Sequence, residues 1–210
     1  MEIPKLSIIV AGCETENDNL GIGFDNNIPW TLSKDIIHFK NTTTGHFVLM
    51  GFNTWLSIPN KPLQNRINIV VTSKHEKYNV EKYNLYEKKS TGTSIPGFNG
   101  GDKLYDYVIF VPSLEDGIKF YLKMSQFPEY ERSDLFIVGG ESIYNQVLKH
   151  YSTYIDKIFL TRIDKKFTCN KYFDISLINQ KKYEKIFQAK LTEKELEINF
   201  SIQIYHIYNY

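Results

Sequence analysis

The chain has 210 residues, 42% of them hydrophobic, and its 25 Lys and Arg nearly balance 24 Asp and Glu for a net charge of +1. That length and apolar content suffice for one packed domain and exclude a disordered polyelectrolyte. The charge balance argues against a general binder of nucleic acid or anionic membranes. No apolar run approaches the ~20 residues of a membrane span, and the start Met1-Glu2-Ile3-Pro4-Lys5 does not have the form of a signal peptide. Cys13 and Cys169 have no metal-ligand spacing and are expected as free thiols in a reducing, cytoplasmic compartment.

Residues 6–11 are apolar and β-branched, the pattern of a buried strand. Residues 14–29 are polar, punctuated by Gly21, Gly23 and Pro29, and predict a long loop. A short helix is predicted over 32–40, strands over 46–51 and 67–73, and a helical turn over 54–57. Residues 75–105 contain Ser90-Thr91-Gly92-Thr93-Ser94 and Phe98-Asn99-Gly100-Gly101-Asp102, and predict a surface insertion, partly mobile. Strands follow over 107–111 and 135–138, with helices over 113–124 and 141–149; Ser113 is an N-cap with Asp116 at the capping-box position. Residues 155–163 and 198–208 alternate, without a convincing helix between them, and predict closing strands, at least one pair antiparallel. The alternation of strands and short helices implies a single α/β domain. Its central sheet would be doubly wound and mainly parallel, with an antiparallel C-terminal strand and helices on both faces.

Three segments carry chemistry. On the predicted helix, positions 32, 35, 36 and 39 share a face. Leu32, Ile36 and Phe39 are apolar, so Asp35 is placed on the buried side at a desolvation cost unless it has a partner or a task. A solvated Asp35 near the helix start fits the same spacing. In Val138-Gly139-Gly140-Glu141-Ser142-Ile143-Tyr144, a strand turns through two glycines into a helix, which lets a phosphate or ring approach helix N-terminal amides. Such turns are also common as plain connections. Gly21-Ile22-Gly23 is not followed by a helix and fails the context of a dinucleotide fingerprint. Met50-Gly51-Phe52-Asn53-Thr54-Trp55-Leu56-Ser57-Ile58-Pro59 is either a cleft element or a structural turn with a core tryptophan. Arg66 opens an apolar strand, where a cation at a cleft edge could clamp a carboxylate.

Taken in order, these segments resemble the dihydrofolate reductase family over nearly the whole chain. Ile9-Val10-Ala11 resembles its first strand, and Leu20-Gly21-Ile22-Gly23, Asn26 and Ile28-Pro29-Trp30 its active-site loop. Asp35 and Phe39-Lys40 fall at its acidic residue and the Phe-Lys pair that follows. Met50-Gly51, Thr54-Trp55 and Ser57-Ile58-Pro59 match its most recognisable block; Pro62-Leu63 and Asn65-Arg66-Ile67-Asn68 match the next in a form like fungal members. Ile137-Val138-Gly139-Gly140 with Tyr144, and Leu160-Thr161-Arg162-Ile163, complete the set.

The resemblance implies reduction of 7,8-dihydrofolate to 5,6,7,8-tetrahydrofolate by hydride from NADPH, with N5 protonation assisted by Asp35 as the only ionisable group at the pterin. It implies Trp30, Tyr144 and Thr161 as the other catalytic-site members, with Thr161 and a water held by Trp30 orienting Asp35. Ile9, Val10, Ile36, Phe39, Ser57, Ile58, Leu63, Arg66 and Ile137 would bind substrate, with Arg66 on its glutamate carboxylate. Ala11, Ile22, Gly51, Asn53, Thr54, Thr72, Ser73, Lys74, Gly139, Gly140, Glu141, Ser142 and Ile143 would bind cofactor, and the Gly139–Gly140 bond would be cis. No metal, membrane or nucleic acid is implied; antifolates should inhibit, a monomer is the default, and no fused thymidylate synthase is expected beyond the last strand.

Phe52, Asn53, Ser73 and Pro112 stand where family members often have bases for the cofactor's 2′-phosphate, which weakens the implied NADPH preference. Lys74, His75, Lys88 or Lys89 are available substitutes. Two rival readings are a riboflavin-pathway pyrimidine reductase of the same fold and a non-catalytic ligand- or RNA-binding relative. Trp30, Asp35 and the 54–66 block favour folate, and the joint presence of Asp35, Gly139-Gly140, Tyr144 and Thr161 favours catalysis.

Overall fold

A computed structural model describes residues 5–16, 19–81, 108–179 and 183–206. Its centre is the first strand, β1 (Leu6–Glu14), whose side chains are nearly all buried. Parallel neighbours flank it: β6 (Leu135–Gly139) on one side and β7 (Ile155–Ile163) on the other. Beyond β6 lie β3 (Phe47–Gly51), β4 (Ile67–Val71) and β5 (Val108–Val111), all parallel. Beyond β7 the sheet turns antiparallel through β10 (Ile198–His206) to β9 (Glu184–Glu193). The short strands β2 (Leu20–Gly23) and β8 (Lys171–Phe173) form a side ribbon, β2 pairing with both β1 and β8.

Period-2 alternation assigns the two faces. Leu6, Ile8, Val10, Leu49, Ile69 and Ile137 meet helices α4 (Leu114–Met124) and α5 (Glu141–His150) through Ile118, Tyr121, Ile143 and Val147. Ile9, Val48, Met50, Val70 and Phe136 point the other way, toward Phe39 of α1 (Ser33–Thr43), Trp55 of α2 (Phe52–Ser57) and Tyr78 of α3 (His75–Glu81). A doubly wound sheet with helices on both faces is therefore the observed architecture.

Five elements differ from expectation. The segment expected as the loop 14–29 contains β2, because Leu20 buries its side chain and the pairing with β1 and β8 supplies ladder partners. The start of the expected insertion is α3, seated by Tyr78 against Phe52 (ring centroids 4.8 Å) and Phe110 (5.2 Å); the remainder, 82–107, lies outside the described residues. Between β7 and β10 stand the short strand β8, the short helix α6 (Ser176–Asn179) and the ten-residue β9, none of which was expected.

The expected cap of α4 is present: Ser113 Oγ accepts the Asp116 N–H at 3.1 Å. Ser113→Ala should destabilise the fold by about 1 kcal/mol in urea titration, without altering the site described next.

Candidate active site

The site assembles where β1, β3, β4, β6 and β7 end, as expected for ligands of an open α/β sheet. Helix α1 is held from its first residue: the Ser33 N–H donates to Glu193 Oε2 (2.9 Å) and Lys34 Nζ to the Thr192 carbonyl (3.1 Å), both on β9. That seating turns Asp35, in the first turn, toward β7, where Thr161 Oγ1 donates to Asp35 Oδ1 at 2.6 Å. Burial raises the Asp35 pKa above the ordinary carboxylate range; the Thr161 bond and the nearby His38 act in the opposite direction but do not cancel it. The bond joins residues 126 apart in sequence, and only the family resemblance pointed to it.

Asp35 is not the only titratable group here. His38, one turn further along α1, stands over Phe159 with ring centroids 6.4 Å apart. Burial lowers its pKa, and the Asp35 charge partly offsets that. The i,i+3 spacing from Asp35 was the available sequence signal.

Helix α5 is tied to β1 by Tyr144, whose hydroxyl donates to the Ile9 carbonyl at 2.8 Å. Burial pushes this phenol far above its usual pKa, so it remains a neutral donor. The Gly139–Gly140 peptide is cis, as the resemblance implied. Gly139 sits at φ +106°, and a Cβ there would meet the Tyr144 ring at 2.9 Å. A Cβ at Gly140 would lie 3.0 Å from Thr54 Oγ1, and one at Gly51 3.2 Å from Ile143. The starts of α2 and α5 thus converge on backbone that carries no side chains. Ile143 and Tyr144 N–H both return to the Gly140 carbonyl, leaving the earlier amides of the turn directed outward. A pyrophosphate fits this cradle, and Thr72 and Lys74 stand beyond it, with Thr72 Oγ1 accepting the Lys74 N–H at 3.2 Å.

On the other side of Asp35 lies an apolar wall. Ile36 is 57% exposed although it stands on the apolar side of α1, one turn before half-buried Phe39, which packs on the same core cluster as Ile58 and Leu63. The turn over 62–66 is held by Asn68, a fully buried amide that accepts the Leu63 N–H (3.1 Å) and donates to the Leu63 (3.0 Å) and Arg66 (3.1 Å) carbonyls. Arg66 is only 4% exposed; its guanidinium lies 5.6 Å from the Phe39 ring centroid and reaches Thr44 Oγ1 at 3.4 Å. Trp30 is buried against Phe167, ring centroids 5.4 Å apart.

The structure shows where several of the expected side chains point. Ile137 is fully buried in the core under α4 and α5, on the face away from the cleft; its neighbour Val138 lies on the cleft face with Ile58 and Leu63. Val10 likewise points into the far core, so only its main chain can meet a ligand. Ser57 turns its hydroxyl back onto the Thr54 carbonyl at 2.8 Å. Glu141 directs its carboxylate to β8 rather than to the turn it opens. Lys88 and Lys89 lie outside the described residues.

A desolvated carboxylate and a side-chain-free turn at a helix N-terminus on one α/β sheet are compatible with a dinucleotide-dependent reductase. The sequence profile of the dihydrofolate reductase family matches residues 5–207. The chain belongs to the dihydrofolate reductase family. It is 31% identical over 207 residues to a dihydrofolate reductase of Heliothis virescens, spanning 94% of this chain and 93% of that one. It is 28% identical over 201 residues to the type 9 dihydrofolate reductase of Escherichia coli, spanning 95% and 93%. The bifunctional dihydrofolate reductase-thymidylate synthase of Paramecium tetraurelia is 30% identical over 191 residues, which cover 91% of this chain but 32% of that longer protein. The activity is that of the family, reduction of 7,8-dihydrofolate to 5,6,7,8-tetrahydrofolate with a nicotinamide cofactor.

Proposed function

We propose that the hydride donor is NADPH and that Asp35 governs protonation of the pterin. The observation that supports this reading is the 2.6 Å bond from Thr161 to a desolvated Asp35. The Glu141 and Ser142 amides and Thr54 would hold the diphosphate with Ile143 beside them, Ala11 and Ile22 the nicotinamide end, and Asn53, Thr72, Ser73 and Lys74 the adenosine end. When bound, a reduced nicotinamide dinucleotide would supply the hydride for C6 of the pterin. Asp35 binds the pterin's amino and ring N–H groups and favours proton delivery to N5, so that the C6–N5 double bond gains one hydride and one proton. Thr161 fixes the carboxylate's orientation, Tyr144 fixes the Ile9 carbonyl, and Ile36, Phe39, Ile58, Leu63 and Trp30 exclude bulk water, which strengthens each of these interactions. We place the protein in the cytoplasm as a monomer.

Purified protein should oxidise reduced cofactor only when dihydrofolate is present, followed at the reduced-nicotinamide absorbance band, and a 2,4-diaminopyrimidine antifolate should block it. Absence of turnover in a correctly folded sample would overturn the reading.

The NADPH preference should be shallow. Phe52 is spent on Tyr78, and Ser73 offers only a neutral hydrogen bond, worth about 0.5–1.5 kcal/mol. Exposed Lys74, two residues beyond Thr72, is a candidate cation for it, worth about 1 kcal/mol or less when screened. The ratio of kcat/KM for NADPH over NADH should therefore fall as salt is added, and Lys74→Ala should lower it further. A large ratio indifferent to both would mean that buried groups hold the 2′-phosphate.

A further inference from the structure

Glu141 stands at the first position of α5, beside the amides assigned above to the diphosphate. A carboxylate there is favourable in the free protein, because the helix N-terminus attracts negative charge. It becomes a competitor once an anionic ligand approaches the same amides. The Glu141 side chain is drawn off this position by two groups of β8: the Tyr172 N–H donates to Oε1 at 2.9 Å, and Lys171 Nζ lies 3.2 Å from Oε2. β8 in turn pairs with β2 in the register Leu20↔Phe173, Gly21↔Tyr172 and Gly23↔Lys171. The Tyr172 N–H therefore points out of the β2·β8 ladder toward α5, and Glu141 closes that edge. Phe173 packs edge-on against Tyr144 at 5.2 Å, which fixes the ribbon behind the same helix.

We infer that Lys171 neutralises the Glu141 carboxylate so that the turn accepts an anionic diphosphate, and that Glu141 latches the β2·β8 ribbon, with Ile22, to the cofactor turn. Both are positioning residues: they act through the α5 amides and through β2. The inference rests on the reading that the dinucleotide's diphosphate sits at this turn. It deepens that reading by making cofactor affinity depend on a charge pair lying outside the cradle. As a plain surface ion pair the contact would matter little, since the Lys171 and Glu141 side chains are 51% and 27% exposed.

The test is direct titration of the intact protein with NADPH, read by quenching of intrinsic fluorescence, together with amide hydrogen exchange of the peptide covering β2. Lys171→Met leaves the Glu141 charge uncompensated and should raise the NADPH Kd about two- to fivefold, an effect that shrinks with added salt. Adding Glu141→Gln should restore the wild-type Kd, because the amide keeps an acceptor for Tyr172 and carries no charge. Glu141→Ala should speed exchange of the β2 amides, whereas Glu141→Gln should preserve their protection. An unchanged Kd in Lys171→Met, a double variant as weak as the single one, or unaltered β2 protection in Glu141→Ala would overturn the inference alone. Failure of the wild-type protein to bind NADPH would overturn the underlying site reading as well.

Discussion

Asp35→Asn should slow hydride transfer by roughly two or more orders of magnitude at neutral pH, the loss expected when a positioned acid–base group is removed. The residual rate should climb as pH falls, because substrate already protonated in solution then binds. A single-turnover pH profile checks this, and a mutant profile parallel to wild type would refute the role. The same substitution has a second readout with a definite sign. Burial raises the Asp35 pKa in the folded state, so protonated Asp35 favours folding fully only below about pH 4, its unfolded value, and that contribution is lost as pH rises through the raised folded pKa. Above that window the ionised group opposes folding, and the neutral amide does not. Asp35→Asn should therefore be more stable than wild type at pH 7 and lose that advantage in acid, measured as the difference in urea midpoint across the range. Activity and stability would then move in opposite directions at one residue, as expected of a catalytic group held against its desolvation cost.

Arg66→Ala should raise the dihydrofolate KM by one to two orders of magnitude, with a much smaller change for a pterin lacking the glutamate tail. A charge-assisted contact to a carboxylate is worth about 1.5–3 kcal/mol. The guanidinium is nearly buried, stacked on Phe39 and set by the Asn68-clamped turn, so little ordering is left for the ligand to complete. Equal losses for both substrates would show that the side chain acts by holding the wall rather than by binding the tail.

The sheet and its two helical layers were legible because β1, β3 and β4 are short apolar runs between turn signals, and because Ser113 and Asp116 mark a helix start by themselves. Asp35 was legible as an anomaly, a charge in an apolar stripe. Its partner Thr161 was reached only through the family resemblance, since nothing local connects residues on α1 and β7. That the side chain of Val138, and not that of Ile137, lies on the face with Ile58 and Leu63 was not legible for a plain reason. A central parallel strand is covered on both faces, so its sequence lacks the alternation that tells one face from the other. β9 was missed for the opposite reason: its side chains are largely exposed on both faces, and only its pairing with β10 makes it a strand. α3 depends on the contact of Tyr78 with Phe52 and Phe110, residues far from it in sequence.

Among the described residues β9 ends the sheet, and this bears on how the protein behaves at high concentration. Its outer main-chain groups offer a template for another extended chain, and Ile186 and Phe187, each 48% exposed, would add adhesion. Glu184, Lys185, Lys190 and Glu193 are spread along the same strand, and the register shift at Ile204/Tyr205 bends the ladder beside it. These charges act as gatekeepers. Variants engineered for crystallisation or solubility should keep them, because neutralising them would convert the border of a working sheet into a seam for aggregation.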